Sequence, residues 1–169
     1  MLFSLLKKID RRAAVKTVSA HCDIPCKIYD PISAQLAVLT MIRLVDLLDE
    51  LTLKDKLTIK EQAQFVRLVS EKEEHGLKLK REITIIWGDY FKQPQLDQFP
   101  EIHQLTHQIM LAASAAKQHV DRELTLELLV KVNRFAEIFW TTKGVETYQA
   151  NSPYPPMAAV TYPVLNKIC

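Results

Sequence analysis

The residues best equipped for chemistry in this 169-residue chain crowd into one stretch, residues 21–31, "HCDIPCKIYDP". It holds two of the three cysteines, Cys22 and Cys26, with His21 beside the first and Pro25 beside the second. The small-residue segment "TVSA" comes just before it. A cut between Ala20 and His21 would create a free α-amine whose ordinary pKa, about 7.7–8.0, lets it lose its proton to a metal near neutral pH. The His21 imidazole lies on the same residue, Cys22 adds a thiolate and a backbone nitrogen, and Cys26 adds a second thiolate. Pro25 turns the chain so that Cys26 can fold back beside Cys22. Two nitrogens and two thiolates in a plane, with an imidazole on the axis, suit Ni(II) or Cu(II). Zinc prefers a tetrahedron and normally a fourth strong side-chain ligand. Thiolates also stabilise a higher oxidation state, so such a site is a candidate for one-electron redox chemistry. Taken alone, C-x3-C with one histidine is a weak signal, and a Cys22–Cys26 disulfide is the plain alternative.

The leader before this stretch is basic. Lys7, Lys8, Arg11, Arg12 and Lys16 stand against Asp10, so residues 1–20 carry +4 of a total of +2 and leave −2 on the remainder. Its apolar part is short and precedes the charges, the reverse of a secretory signal, and a pro-segment or a basic amphipathic helix fits better. Without secretion the thiols stay reduced, which places the protein in the cytoplasm and favours metal binding or catalysis over structural disulfides. The net charge is too small to point to nucleic acid. No apolar run approaches the roughly 18–20 residues of a membrane span.

Elements that could position the hook follow from periodicity and capping. Asp30-Pro31 reads as a helix start, followed by a broad apolar run from Ile32 to Leu51 that includes Leu36, Leu39, Met41, Ile42, Val45 and Leu48. Thr58-Ile59-Lys60-Glu61 is a capping box. It opens a long helix to about Gly88 with Val66, Val69, Leu79, Ile83 and Ile86 at helical spacing. The charged middle of that helix, "SEKEEHGLKLKRE", leaves room for only a narrow buried stripe. "FKQPQLDQFP" reads as a loop, Pro100 opens a third helix, and Asp121 caps a fourth that stops at Lys143-Gly144. With 48% hydrophobic residues and three glycines, the chain is expected to be all-α, an antiparallel four-helix bundle over 31–144. The leader is 1–20, the hook 21–30, and the proline-containing tail 145–169 is expected to be irregular, with Val160, Tyr162, Val164 and Leu165 as candidates to dock.

The hook resembles that of nickel-containing superoxide dismutases, whose pattern is His-Cys-Asp-x-Pro-Cys-Gly-x-Tyr-Asp-Pro. "EEHGLKLKREITIIWGDYFKQP", "FPEIHQL", "ASAAK" and "FWTTKG" are similar to the same family, and the resemblance covers roughly residues 14–144. It implies a helical-bundle subunit, assembled as a homohexamer, with nickel bound by His21, Cys22 and Cys26 once a maturation protease has removed the leader. Tyr29 would help place superoxide and ordered water, and Asp23 would hold the loop. The implied reaction is disproportionation of superoxide to oxygen and hydrogen peroxide as nickel alternates between Ni(III) and Ni(II). Lys27 replaces the usual hook glycine, and a lysine at the rim could attract the anion. Where some members support the axial imidazole with a Glu in the first helix and an Arg in the second, this chain has Ala37 and His75, with Glu74 or His75 as substitutes. Cys169 matches no family ligand.

Two other readings compete: a bundle whose Cys/His arm carries zinc or copper without catalysis, and a purely structural oligomer. His103 and His107, four apart on the third helix, could chelate a metal but read as ordinary, partly exposed histidines. Glu-x-x-His, the ligand pair of di-iron bundles, is absent from the sequence. Trp87, Tyr90, Phe91, Phe139 and Trp140 read as core and interface aromatics.

Overall fold

In the computed structural model, Asp30 Oδ1 accepts the amide of Ile32 at 2.8 Å, and the Pro31 carbonyl accepts those of Ala34 and Gln35. This satisfies the first donors of helix α1 (Ile32–Thr52) and is the start expected from Asp30-Pro31. The structure describes residues 27–165. The leader and His21, Cys22, Asp23 and Cys26 of the hook lie outside the described residues, as does Cys169.

Helix α2 (Ile59–Ile85) carries the predicted capping box: Thr58 Oγ1 accepts the Glu61 amide, and a Glu61 carboxylate oxygen accepts the Thr58 amide at 2.8 Å. Beyond Ile85 the helix widens into a π turn, Ile86–Tyr90. A short helix α3 (Gln93–Gln98) replaces the loop expected around the two prolines. Pro94 sits in its first turn, where a missing N–H is harmless. Helix α4 spans Ile102–Gln118, and helix α5 spans Arg122–Thr142 behind an Asp121 cap that accepts the amides of Glu123 and Leu124. Gly144 ends α5 as expected, with φ +70°. Its amide reaches Thr141 O while that of Val145 reaches Trp140 O, a Schellman closure that suits glycine because the left-handed region penalises a Cβ.

The four long helices touch in a cycle: α1 packs on α2 and α5, and α4 packs on α2 and α5. Eleven residues of α1 are buried, because it is covered on several sides. Leu36 departs from the expected stripe at 40% exposure. In α2 only Lys72, Gly76, Leu79 and Ile83 are buried, the narrow stripe its charges require, and Val66 faces outward. Lys72 is 1% exposed. Its ammonium donates to the carbonyls of Ala116, Lys117 and His119, so a cation closes the C-terminal end of α4, where the helix dipole favours it. Burial lowers its pKa from the ordinary lysine value.

The all-α expectation needs correction. Among the described residues after Gly144, β1 (Thr147–Asn151) and β2 (Ala159–Pro163) form a two-stranded antiparallel sheet with Gln149 opposite Thr161, in place of the irregular segment expected there. The fold is therefore mostly helical with one small sheet. The hairpin lies on α5 and α1. Val160 joins the core, and Gln35 Nε2 donates to Asn133 Oδ1 at 3.0 Å and to Thr161 O at 2.9 Å. Asn133 Nδ2 donates to Ala159 O, and Asn133 Oδ1 also accepts the Thr161 amide. An isolated two-stranded hairpin is marginal in water. These two buried amides give it partners on the helices.

Candidate metal centre

The described part of the hook leads from Lys27 into α1. Lys27 has φ +59°, the left-handed region that favours glycine. The position where the hook pattern has Gly therefore keeps the glycine conformation while carrying a lysine. Tyr29 is half-buried. Its ring lies 6.0 Å from that of Tyr90, on the π turn. Tyr90 continues into an aromatic cluster, with Phe91 at 5.2 Å and Phe139 at 4.8 Å, and Phe139 meets Trp140 at 5.1 Å. The π turn matters here because it brings Tyr90 to the C-terminal end of α5. Beside Tyr29 is a cavity of about 210 Å³ lined by Ile28, Asp30, Ser33, Glu82, Ile85 and Ile86 as well.

The hydroxyl of Tyr90 lies 2.7 Å from Thr142 Oγ1. Thr142 Oγ1 itself donates to Phe139 O at 2.7 Å. A hydroxyl has one proton, so Thr142 spends its own on the carbonyl and accepts from Tyr90. The ammonium of Lys143 stands 4.8 Å from the Tyr90 ring centre and 5.1 Å from that of Phe139. Sequence reasoning placed Tyr90 and Phe139 among packing aromatics but missed Thr142 and Lys143 as their partners. The only sequence signal was the segment "FWTTKG", which says nothing of what it faces.

Of the expected site residues, Tyr29 stands at the end of the molecule where α1 begins and α5 finishes. His21, Cys22, Asp23 and Cys26 precede it along the chain, outside the described residues. Ala37 is 1% exposed in the core. His75 is half-buried on α2, and its Nδ1 is buried without a hydrogen-bond partner among the described residues. His103 Nδ1 accepts the indole N–H of Trp87 at 3.0 Å, so His103 has a structural partner and, like His107, lies at the surface. Among the described residues no group of three His, Cys, Asp or Glu side chains could hold a metal. Larger clefts lie elsewhere: about 590 Å³ between α4 and α5, and about 450 Å³ between α5 and the hairpin. Neither is lined by histidine or cysteine.

The family model described as nickel-containing superoxide dismutase matches residues 16–143, from before the hook to the end of α5. The chain belongs to the nickel-containing superoxide dismutase family. Superoxide dismutase [Ni] of Streptomyces coelicolor is 33% identical over 128 residues, 75% of this chain and 91% of that protein. The Streptomyces seoulensis protein of the same description is 32% identical over 127 residues, 75% of this chain and 90% of that one. The native nickel superoxide dismutase structure aligns with a TM-score of 0.64 at 30% identity, covering 73% of this chain and 99% of its own. The β-hairpin follows the residues that the family model matches.

Proposed function

We propose that this chain is a nickel superoxide dismutase translated as a proenzyme and activated by cleavage before His21. The observation that carries the reading is that the family match extends across the whole donor set, His21 to Cys26, and onward to Tyr29. In this reading residues 1–20 are the leader, 21–30 the hook, 31–144 an antiparallel four-helix bundle and 145–169 an extension that begins with the hairpin. The donor chemistry fits nickel: an amine, an imidazole, an amide nitrogen and two thiolates suit a tetragonal ion. His21 would give its amine and imidazole, Cys22 its amide nitrogen and thiolate, and Cys26 its thiolate. Bound nickel supplies reversible one-electron chemistry, by which two superoxide anions and two protons yield oxygen and hydrogen peroxide.

The chain's own residues do the rest. Before the cut the His21 nitrogen is a peptide amide, so cleavage both matures and activates. Asp23 holds the loop. The Tyr29 hydroxyl orders water and superoxide at the hook's foot, and Tyr90 holds the Tyr29 ring. The family resemblance supports a homohexamer, and the leader's composition supports a cytoplasmic protein. Among the described residues no helix is long and apolar enough to cross a membrane.

The test is elemental analysis of reduced protein trimmed to His21, beside uncut chain and trimmed Cys22→Ser, followed by a superoxide assay. About one nickel per trimmed chain, little on the other two, and turnover only in the first are expected, since ligand deprotonation and binding are linked. Zinc on the trimmed chain without turnover would support the non-catalytic metal-binding reading instead.

A further inference from the structure

Lys143 is exposed, yet its ammonium is held over two aromatic rings, Tyr90 and Phe139. Among the described residues it forms no ion pair. The distinction has a physical consequence. A carboxylate partner would cancel the charge seen from a distance, whereas a ring quadrupole anchors a cation without neutralising it. Two structural features fix the shelf. Tyr90 is tethered through Thr142, and the Schellman turn at Gly144 sets where the chain leaves α5. Lys143 also caps the C-terminal end of α5, where the helix dipole offsets only part of a full charge, so among the described residues it is a positive charge with no carboxylate partner, on the ring that packs against Tyr29. Carboxylates at this end of the molecule are Asp30 and Glu82, which line the cavity beside Tyr29, Asp89 beside Tyr90 on the π turn, and Glu146 three residues after Lys143; none of them pairs with Lys143 among the described residues. Lys92 is engaged with the Gly88 carbonyl.

We propose that Lys143 draws the anionic substrate toward the Tyr29 end of the molecule, with the aromatic shelf keeping its charge both localised and unpaired. The inference rests on the superoxide-dismuting reading. Its role is in substrate arrival: charge at the mouth of a site raises the local concentration of an oppositely charged reactant and its rate of arrival.

Two measurements test it. The first is kcat/KM of trimmed, nickel-loaded wild type, Lys143→Met and Lys143→Arg as a function of ionic strength. At about 0.01 M, where the screening length is about 30 Å, Lys143→Met should be about two- to threefold slower. The difference should vanish near about 1 M, where the screening length is about 3 Å. Lys143→Arg should follow wild type at every salt concentration. The second needs neither nickel nor activity. In a Trp87→Phe background Trp140 is the single tryptophan, and it packs on Phe139 under Lys143. Lys143→Met should lower quenching of its fluorescence by iodide about twofold at low salt and leave quenching by neutral acrylamide unchanged. Equal kcat/KM for wild type and Lys143→Met across all salt concentrations overturns the proposal, as does a loss that salt does not remove. If the nickel-loaded wild type has no turnover, the functional reading fails, and equal iodide quenching of the two proteins would then show separately that Lys143 draws no anions.

Discussion

Lys27 is the residue at which this chain and the hook pattern disagree in type while agreeing in conformation. Its φ of +59° costs an L-residue with a Cβ roughly 1–2 kcal/mol, a cost glycine escapes. Lys27→Gly in the trimmed protein should therefore favour the closed hook by about 0.5–1 kcal/mol, or about two- to fivefold tighter nickel, after allowing for the extra freedom glycine has when the loop is open. Competition against a chelator reads this directly. Lys27→Ala removes the charge but keeps the positive φ and should give no such gain. Equal tightening by both variants would mean that charge and not backbone strain sets the affinity. The proposed hook chemistry rests on donor types and their order, which covalent sequence supplies residue by residue. The strain at Lys27 followed only from the pattern's glycine, and the partners Thr142 and Lys143, more than fifty residues from Tyr90, followed from nothing local.

Among the elements, α2 shows how much a short motif determines. Its start is fixed by Thr58 and Glu61, and Glu61 also pairs with Lys54. The bond from Lys54, together with those from the Thr58 amide and hydroxyl, holds the Glu61 carboxyl at about 2, below the ordinary 4.5. A carboxyl depressed on folding contributes stability that is fully present above its unfolded pKa and is lost as pH falls through the folded one. The contribution of Glu61 should thus be complete above about pH 4.5 and fade toward pH 2. Urea unfolding of wild type and Glu61→Gln should show an advantage for wild type at pH 5 that shrinks steadily to pH 2. A difference constant over that range would show that the carboxylate's charge has no part in the cap. Capping boxes, N-caps and the Gly144 stop were readable because each satisfies donors or acceptors within a few residues of itself. The π turn at Ile86–Tyr90 was not, because it depends on where Tyr90 must go to meet Phe139 and Thr142.

For the whole molecule the decisive feature is the hairpin. It is held by Gln35 from α1 and Asn133 from α5, residues 98 positions apart. Asn133→Ala would leave Gln35, the Thr161 amide and the Ala159 carbonyl short of a buried partner, at a cost of about 2 kcal/mol. Because the four long helices keep their own contacts, the loss should be local. Hydrogen exchange of the β1 and β2 amides should quicken and proteolysis after residue 145 should increase, with α1 and α4 protected as before. Unchanged protection of the hairpin would mean that Val160 alone docks it. The sequence by itself determined the four long helices and most of their ends, since these rest on residue chemistry and on spacings of a few positions; its donor set for the hook is a proposal that the metal analysis tests. Only the tertiary structure decided that Thr147–Asn151 and Ala159–Pro163 pair as a hairpin, that Lys143 is shelved on Tyr90 and Phe139, and that Lys72 closes α4. Each of these depends on polar groups or rings brought together across long stretches of chain, where burial and not local periodicity selects the partner.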